Sequence, residues 1–414
     1  MPKIPMTPVT LIHLVSQQTM QNVLPALALR PERIIQVRSQ GEVFARAAEA
    51  TKAALEEAGL KAEVLDWPLP TEYPSLEDTQ RAVKYWLPLY PLAVVNLTGG
   101  TKLMSAGALL GAREFSGAAI LYCDTDQRKF VFLAEGHLQP DILDFDSAAK
   151  RLTLRMVLTA HGKSPSGWRF DTAPESWLAF GRKAFDLRWR ERAAFERSAF
   201  SRRVRAFYRS EKGRIPKAAG KLQALLGADL LQGFADDLPT PVMEFLAAAA
   251  AAGVLTKTSE GGFHLTPPGG GRNLASHVER AANLLDGSWL ELTVLDLVRR
   301  NPSVADPHWS VEPQKAADLP DNASFGETDL VCLRLPQGSL QVISCKTSVE
   351  KPLEHVESLR ERATHLGGRF ARATLAVLFA TEPQAVNLRR WGCLLGVQVL
   401  IGQEILSLEI PDAG

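Results

Sequence analysis

Several features are missing from this 414-residue chain, and each absence argues against a class of protein. Its four cysteines, Cys123, Cys332, Cys345 and Cys393, are scattered through apolar stretches and form no C-x-x-C pair. That argues against a disulfide framework or a cysteine zinc site and fits a reducing compartment. No apolar run reaches the length a bilayer demands, and the opening MPKIPMTPVT lacks a signal-peptide pattern, so a cytoplasmic protein without membrane contact is expected. The G-x-x-x-x-G-K-[ST] spacing of a Walker A loop is absent, so ATP hydrolysis is not implied. No internal repeat is visible. Net charge is only +1, so the chain as a whole makes no case for a nucleic-acid partner, although its charge distribution does.

What is present begins with alternation. Apolar strands at 9–15, 33–37, 62–65, 92–95 and 118–122 alternate with helical stretches at 19–29, 41–59, 77–87 and 105–115, and a further strand covers 129–133. This βα rhythm predicts an α/β fold with a doubly wound, largely parallel sheet. Ligands bind such sheets beyond the carboxyl ends of the strands, which is where the loops Ser16-Gln17-Gln18 and Asn96–Lys102 fall. In Asn96-Leu97-Thr98-Gly99-Gly100-Thr101-Lys102-Leu103-Met104, two glycines permit a tight turn and close backbone approach. The helix start beyond them offers unpaired N–H groups and a positive dipole end to an anion. Two threonine hydroxyls and a lysine complete a phosphate cradle, though an ordinary strand-to-helix turn with a solvated lysine has the same spacing.

Between Arg182 and Lys217 the character changes: thirteen Lys/Arg stand against four Asp/Glu, a local net of +9. The arginines suit a phosphate backbone, whereas the interleaved Phe185, Trp189, Phe195, Phe200, Phe207 and Tyr208 read as the buried face of amphipathic helices. A helix opened by Pro239-Thr240-Pro241 then leads, through Gly253, into a Gly-tipped hairpin ending at Thr266, the outline of a winged helix. It serves either as a spacer or as a DNA-docking element. Pro267-Pro268-Gly269-Gly270-Gly271 marks a linker.

The last part opens with a helix through Asn283 to Arg300, followed by a loop rich in Pro, Asp and Ser. Two alternating strands, 327–333 and 340–346, are joined by a turn at Pro336–Ser339, and a helix at 357–366 with strands at 374–379 and 397–401 completes an α/β sandwich. Ser344 and Lys346 share one face of their strand. The hairpin brings Asp329 alongside, and Glu291 arrives from the helix. Carboxylates with a backbone carbonyl suit Mg²⁺ or Mn²⁺, and a lysine beside them stabilises charge on a scissile phosphate. An ordinary surface hairpin is the alternative.

Taken together, these segments resemble a known family. Asn96–Met104 with Ser16-Gln17-Gln18 resembles the CARF domain, the Rossmann-like sensor of cyclic oligoadenylates in type III CRISPR defence. Trp289-Leu290-Glu291, Glu327-Thr328-Asp329 and Ser344-Cys345-Lys346 resemble the PD-(D/E)xK restriction-endonuclease-like domain. The combination resembles cyclic-oligoadenylate-activated CRISPR nucleases, which implies a CARF domain over 1–148, a basic helical and winged-helix-like segment over 149–273, and a nuclease-like domain over 274–414. It further implies a homodimer around cyclic tetra-adenylate, with Ser16, Gln17 and Gln18 on adenines and Asn96, Thr98, Gly99, Gly100, Thr101, Lys102 and Met104 building the phosphate and ribose contacts. Glu291, Asp329, Ser344 and Lys346 would form the catalytic set acting on DNA, RNA or both. The metal would be held by Glu291, Asp329, Glu327 and the Cys345 carbonyl. Ser344 departs from the family pattern, which usually has Glu or Asp there. That departure keeps open a non-catalytic, ligand-responsive DNA-binding regulator. Cleavage of the cyclic ligand in the sensor ranks lower, because no catalytic pair is visible near Asn96–Lys102.

Overall fold

The computed structural model describes residues 9–125, 127–138, 143–165, 168–208, 215–216, 219–233, 238–267, 273–312, 327–335, 338–368 and 371–408. Residues 268–271 of the linker, 336–337 of the hairpin turn, and 209–214 and 217 of the basic segment lie outside these.

The expected βα alternation folds into a six-stranded sheet of β1 (Thr10–Leu14), β2 (Arg33–Arg38), β3 (Glu63–Pro68), β4 (Val94–Asn96), β5 (Ala119–Asp124) and β6 (Lys129–Ala134). Their spatial order is β3-β2-β1-β4-β5-β6, parallel except for β6. The order reverses at β1/β4, so the loops after these two strands flank a crevice. Two boundaries differ from the expectation. The strand starts later, at Val94, and the following helix begins at Lys102 rather than Ser105, because the Thr101 hydroxyl accepts from the Met104 amide and caps it.

A second six-stranded sheet contains β7 (Arg169–Asp171), β10 (Val304–Glu312), β11 (Thr328–Arg334), β12 (Ser339–Ser348), β13 (Arg372–Phe379) and β14 (Val397–Ile401), in the order β14-β13-β12-β11-β10-β7. Between them in sequence, β8 (Leu255–Lys257) and β9 (Phe263–Leu265) form the hairpin that follows helix Thr240–Ala251, as the winged-helix outline requires. β10 occupies the stretch read from sequence as a loop. Its alternation is hidden by a bulge between Ala305 and His308 and by positive φ at Asp306 and Ser310.

Alternation along β11 and β12 divides their side chains between two cores. Leu330, Cys332, Ile343 and Cys345 belong to a core shared with the helices of the basic segment and with helix Thr240–Ala251, whose aromatic group is Phe180, Phe195, Phe200 and Phe245. Val331, Leu333, Leu340 and Val342 face a core continuous with Leu11, Ile34 and Val94 of the first sheet. Helix Leu154–Ala160 lies in that shared core. Thr19 Oγ1 donates to its last carbonyl, Ala160 O, at 2.7 Å, and Asp306 on β10 accepts from its first amide, Leu154 N, at 2.6 Å.

Candidate functional site

Two sites emerge, one on each sheet. The first is a pocket of about 490 Å³ over the β1/β4 crevice, whose lining includes Ser16, Gln17, Gln18, Thr98 and Gly100. Those five residues meet as expected. Of the remaining members of the Asn96–Met104 set, Asn96, Gly99 and Met104 build the turn from beneath, while Thr101 and Lys102 are exposed at the helix start. Asn96 is fully buried; its amide nitrogen donates to Gln21 O at 3.0 Å and its Oδ1 accepts from the Thr98 amide and hydroxyl. The Thr98 oxygen in turn accepts from Cys123 N at 2.6 Å, tying the turn to β5. A Cβ on Gly99 would sit 1.8 Å from Leu14 O, so only glycine fits against β1; Gly100 has φ +73. Met104 is wholly buried, and Lys102 is exposed in the first helical turn.

Pocket residues that sequence reasoning missed are Gln21, Phe44, Tyr122, Asp124 and Thr125. Tyr122 is 42% exposed although it sits on β5, which is unusual for an aromatic on an interior strand and leaves a ring available to a ligand. The strand-end rule points to it, since β5 ends at the same crevice.

The second site lies where β11 and β12 meet helix Trp289–Arg300. One residue beyond the pair Leu330–Ile343, Asp329 comes level with Ser344. Asp329 Oδ2 accepts from Cys345 N at 2.6 Å and from Ser344 Oγ at 3.0 Å, and Lys346 Nζ lies 3.5 Å from it. Glu291 is placed by a single π-helical turn, Leu284–Ser288, that ends just before its helix. Ser288 Oγ donates to Glu291 Oε1 at 2.9 Å and Trp309 Nε1 to Oε2 at 2.6 Å. Burial, with the nearby Asp329 charge adding, raises the Glu291 carboxyl to about 8 despite these two donors. Part of the residue reaches the surface, but its carboxyl end is enclosed.

Glu327 stands apart from that arrangement. Its carboxylate accepts from Ser310 Oγ, and partial burial raises its pKa, with Glu312 and Asp329 contributing. Among the described residues no group of three or more His, Cys, Asp or Glu side chains is close enough to hold a metal ion. The expected set Glu291, Asp329, Glu327 and Cys345 therefore does not gather as a preformed cluster of three carboxylates. What remains is the pair Glu291 and Asp329 with backbone carbonyls such as that of Cys345, an all-oxygen donor set suited to a hard divalent cation. A buried carboxyl facing a second carboxyl is also a place where a cation relieves repulsion. Ser344, expected in the catalytic set, donates to Asp329 and so orients it.

Residues 10–145 match the Card1 CARF domain family. Among solved structures, Can2 from Sulfobacillus thermosulfidooxidans in complex with cyclic tetra-adenylate is similar, with a TM-score of 0.65 at 20% identity over 97% of both chains. The protein VC1899 from Vibrio cholerae is similar with a TM-score of 0.64 at 14% identity, over 97% of this chain and 96% of that one. A type III CRISPR defence DNA nuclease activated by cyclic oligoadenylate gives a TM-score of 0.50 at 16% identity, over 90% of this chain and 46% of that one. No curated protein matches the chain. At these identities the structural likeness establishes a shared fold.

Proposed function

We propose that this chain, a CARF domain of the Card1 type over residues 10–145 within a fold shared with Can2, is a cyclic-oligoadenylate-activated, metal-dependent nuclease of type III CRISPR defence. The observation that carries the reading is the convergence of Lys346, Asp329 and Glu291 from the two central strands of the second sheet and a helix packed against them.

In this reading cyclic tetra-adenylate occupies the pocket over β1 and β4. Ser16, Gln17 and Gln18 hydrogen-bond adenine edges, Tyr122 and Phe44 offer ring faces, and the amides of the Gly99–Lys102 turn and helix start meet phosphate. Two-fold symmetry of the ligand matches a C2 dimer. Leu103 and Leu110, seven residues apart on helix Lys102–Ala112 beside the pocket, are 56% and 46% exposed and form an apolar strip for the second copy. Ligand shifts the dimer toward its active arrangement only insofar as it binds that arrangement better.

Glu291 and Asp329 would hold Mg²⁺ or Mn²⁺, which when bound polarises the scissile phosphate and acidifies a water. Lys346 stabilises charge developing on that phosphate. Ser344 and the Cys345 amide fix the Asp329 carboxylate, and Trp309 and Ser288 fix Glu291, so both acids are oriented before substrate arrives.

The second reading, a ligand-responsive DNA-binding regulator without catalysis, is favoured by one observation: among the described residues no three-acid cluster forms, and the side chain beside Asp329 is the hydroxyl of Ser344 and not a further acid. Purified protein with Mn²⁺ or Mg²⁺, supercoiled plasmid and single-stranded RNA, with and without cyclic tetra-adenylate, separates the two. Ligand-dependent cleavage of either substrate supports the nuclease. Tight ligand binding without cleavage under any condition supports the regulator.

A further inference from the structure

The basic segment folds as helices Glu175–Arg190, Arg192–Arg197 and Phe200–Tyr208, and its cations are not spread evenly over the surface. Phe195 and Phe200 turn into the core, while Arg188, Arg192, Arg202 and Arg205 surround a cavity of about 280 Å³ with a single carboxylate, Glu196, among them. The facing wall is Thr347 and Ser348, the two residues that follow Lys346 on β12. Arg205 bonds Asp286 at 2.6 Å, in the π-helical turn that precedes Ser288 and Glu291. The cavity is thus fastened to two of the three elements that carry the candidate nuclease site, β12 and the turn leading into the Glu291 helix.

Arg188 is the informative member. Its guanidinium lies 4.6 Å over the Phe195 ring and donates to Ser201 Oγ at 3.3 Å, but its Nε has no hydrogen-bond partner among the described residues and no carboxylate bonds it. Burial pushes its pKa down to about 10. A cation withdrawn from water without a bonded counter-charge raises the free energy of the empty cavity, and an incoming anion lowers it. Arg192 lies 4.5 Å over the Phe379 ring and pairs with Glu196 at 2.6 Å, and Arg202 is exposed at the rim. Planar guanidinium groups opposite two hydroxyls match the tetrahedral oxygens of a phosphodiester.

We propose that this cavity is a phosphate subsite for a polynucleotide strand, holding the phosphodiester that flanks the scissile one. Its position relative to the scissile bond rests on the nuclease reading above; the binding itself does not.

The test uses the full chain carrying Lys346→Ala, with labelled single-stranded DNA and RNA oligonucleotides of equal length, and reads affinity against salt. Arg192→Ala and Arg202→Ala, each added to that background, are expected to weaken binding about tenfold at low salt. The slope of log affinity against log salt should shrink by about 0.7 for each phosphate that is no longer neutralised. Cyclic tetra-adenylate binding and melting temperature should stay at the parent values, which separates removal of a phosphate partner from misfolding. Arg188→Lys, which keeps the charge but loses the fork, should weaken binding less than Arg188→Ala. Parent-like affinity and slope in both the Arg192 and Arg202 variants, on both strands, would overturn the subsite. Loss of slope as expected, while the protein with Lys346 intact never cleaves with metal and cyclic tetra-adenylate, would retain the subsite and remove the nuclease reading.

Discussion

Thr19 Oγ1 donates to the Ala160 carbonyl across 2.7 Å, joining the residue after Gln18 to the end of a helix whose first amide is held by Asp306. One end of this helix therefore reports on the pocket loop, and the other on β10, the strand that carries Trp309 and pairs with β11. A rigid element tied at both ends carries displacement between sites only if its ties hold. Thr19→Val keeps the shape and removes the donor. A net hydrogen bond is worth about 1 kcal/mol, so the ratio of cleavage with ligand to cleavage without should fall by about fivefold. Cyclic tetra-adenylate affinity measured by calorimetry should change less than that. An unaltered activation ratio would show that coupling runs elsewhere.

Asp329 and Lys346 make a stricter test of the chemistry. Lys346→Ala removes the charge facing the phosphate, and a loss of roughly 10²–10³-fold in kcat is expected with oligonucleotide binding largely retained. Asp329→Asn is nearly isosteric beside Cys345 and Ser344 while lowering charge, so metal affinity should drop with rate. Ser344→Asp introduces an acid there but sets a second carboxylate beside Asp329 and removes a donor to it. Without metal it should lower the melting temperature; with metal it should tighten Mn²⁺ binding. Wild-type cleavage by both single variants of Asp329 and Lys346 would place the chemistry elsewhere.

How far these sites were legible in the sequence follows from their local patterns. The first sheet announced itself because β1, β2 and β4, buried on both faces, are short apolar runs separated by helices. The β11–β12 hairpin was equally plain, and it carried Asp329, Ser344 and Lys346 in register. Trp309 was not visible. It sits on β10, where Asp306, Pro307, His308 and the bulge break the period-2 alternation, so the strand read as a loop. Tyr122 and Phe44 were missed for a different reason: each sits in an element whose identity was clear, but exposure depends on which neighbours cover it. Asn96 and Met104 erred in the opposite direction, because a conspicuous motif contains the residues that shape a turn as well as those that touch a ligand.

Leu103 and Leu110 test the assembly. Asp at both positions places charge on the proposed dimer strip without disturbing the buried face of the helix, formed by Met104, Gly107, Ala108 and Gly111. The mass in solution should fall from dimer to monomer while the monomer stays folded. Affinity for cyclic tetra-adenylate should fall with it, since half of a two-fold ligand is then left unbound. A double variant that remains dimeric would move the interface off this helix.

Glu291 links pH, metal and fold, and Trp309 sets the link. Its carboxyl is raised on folding from 4.5 to about 8, first by burial and then by Asp329. A group raised in this way stabilises the metal-free fold fully below about 4.5, and that contribution fades as pH climbs through 8. Glu291→Gln should therefore flatten the fall in melting temperature between those values. Metal requires the ionised form, so below pH 8 the affinity for Mn²⁺ should rise by about tenfold per pH unit as one proton is displaced. Trp309→Phe keeps a ring against Trp177 but takes away the N–H that favours the charged carboxylate. A hydrogen bond to a charged group is worth about 1.5 kcal/mol, or about one pH unit, so the metal-affinity profile should move that far toward alkaline pH. A Trp309→Phe profile that coincides with the parent would mean that the indole donor does not control Glu291.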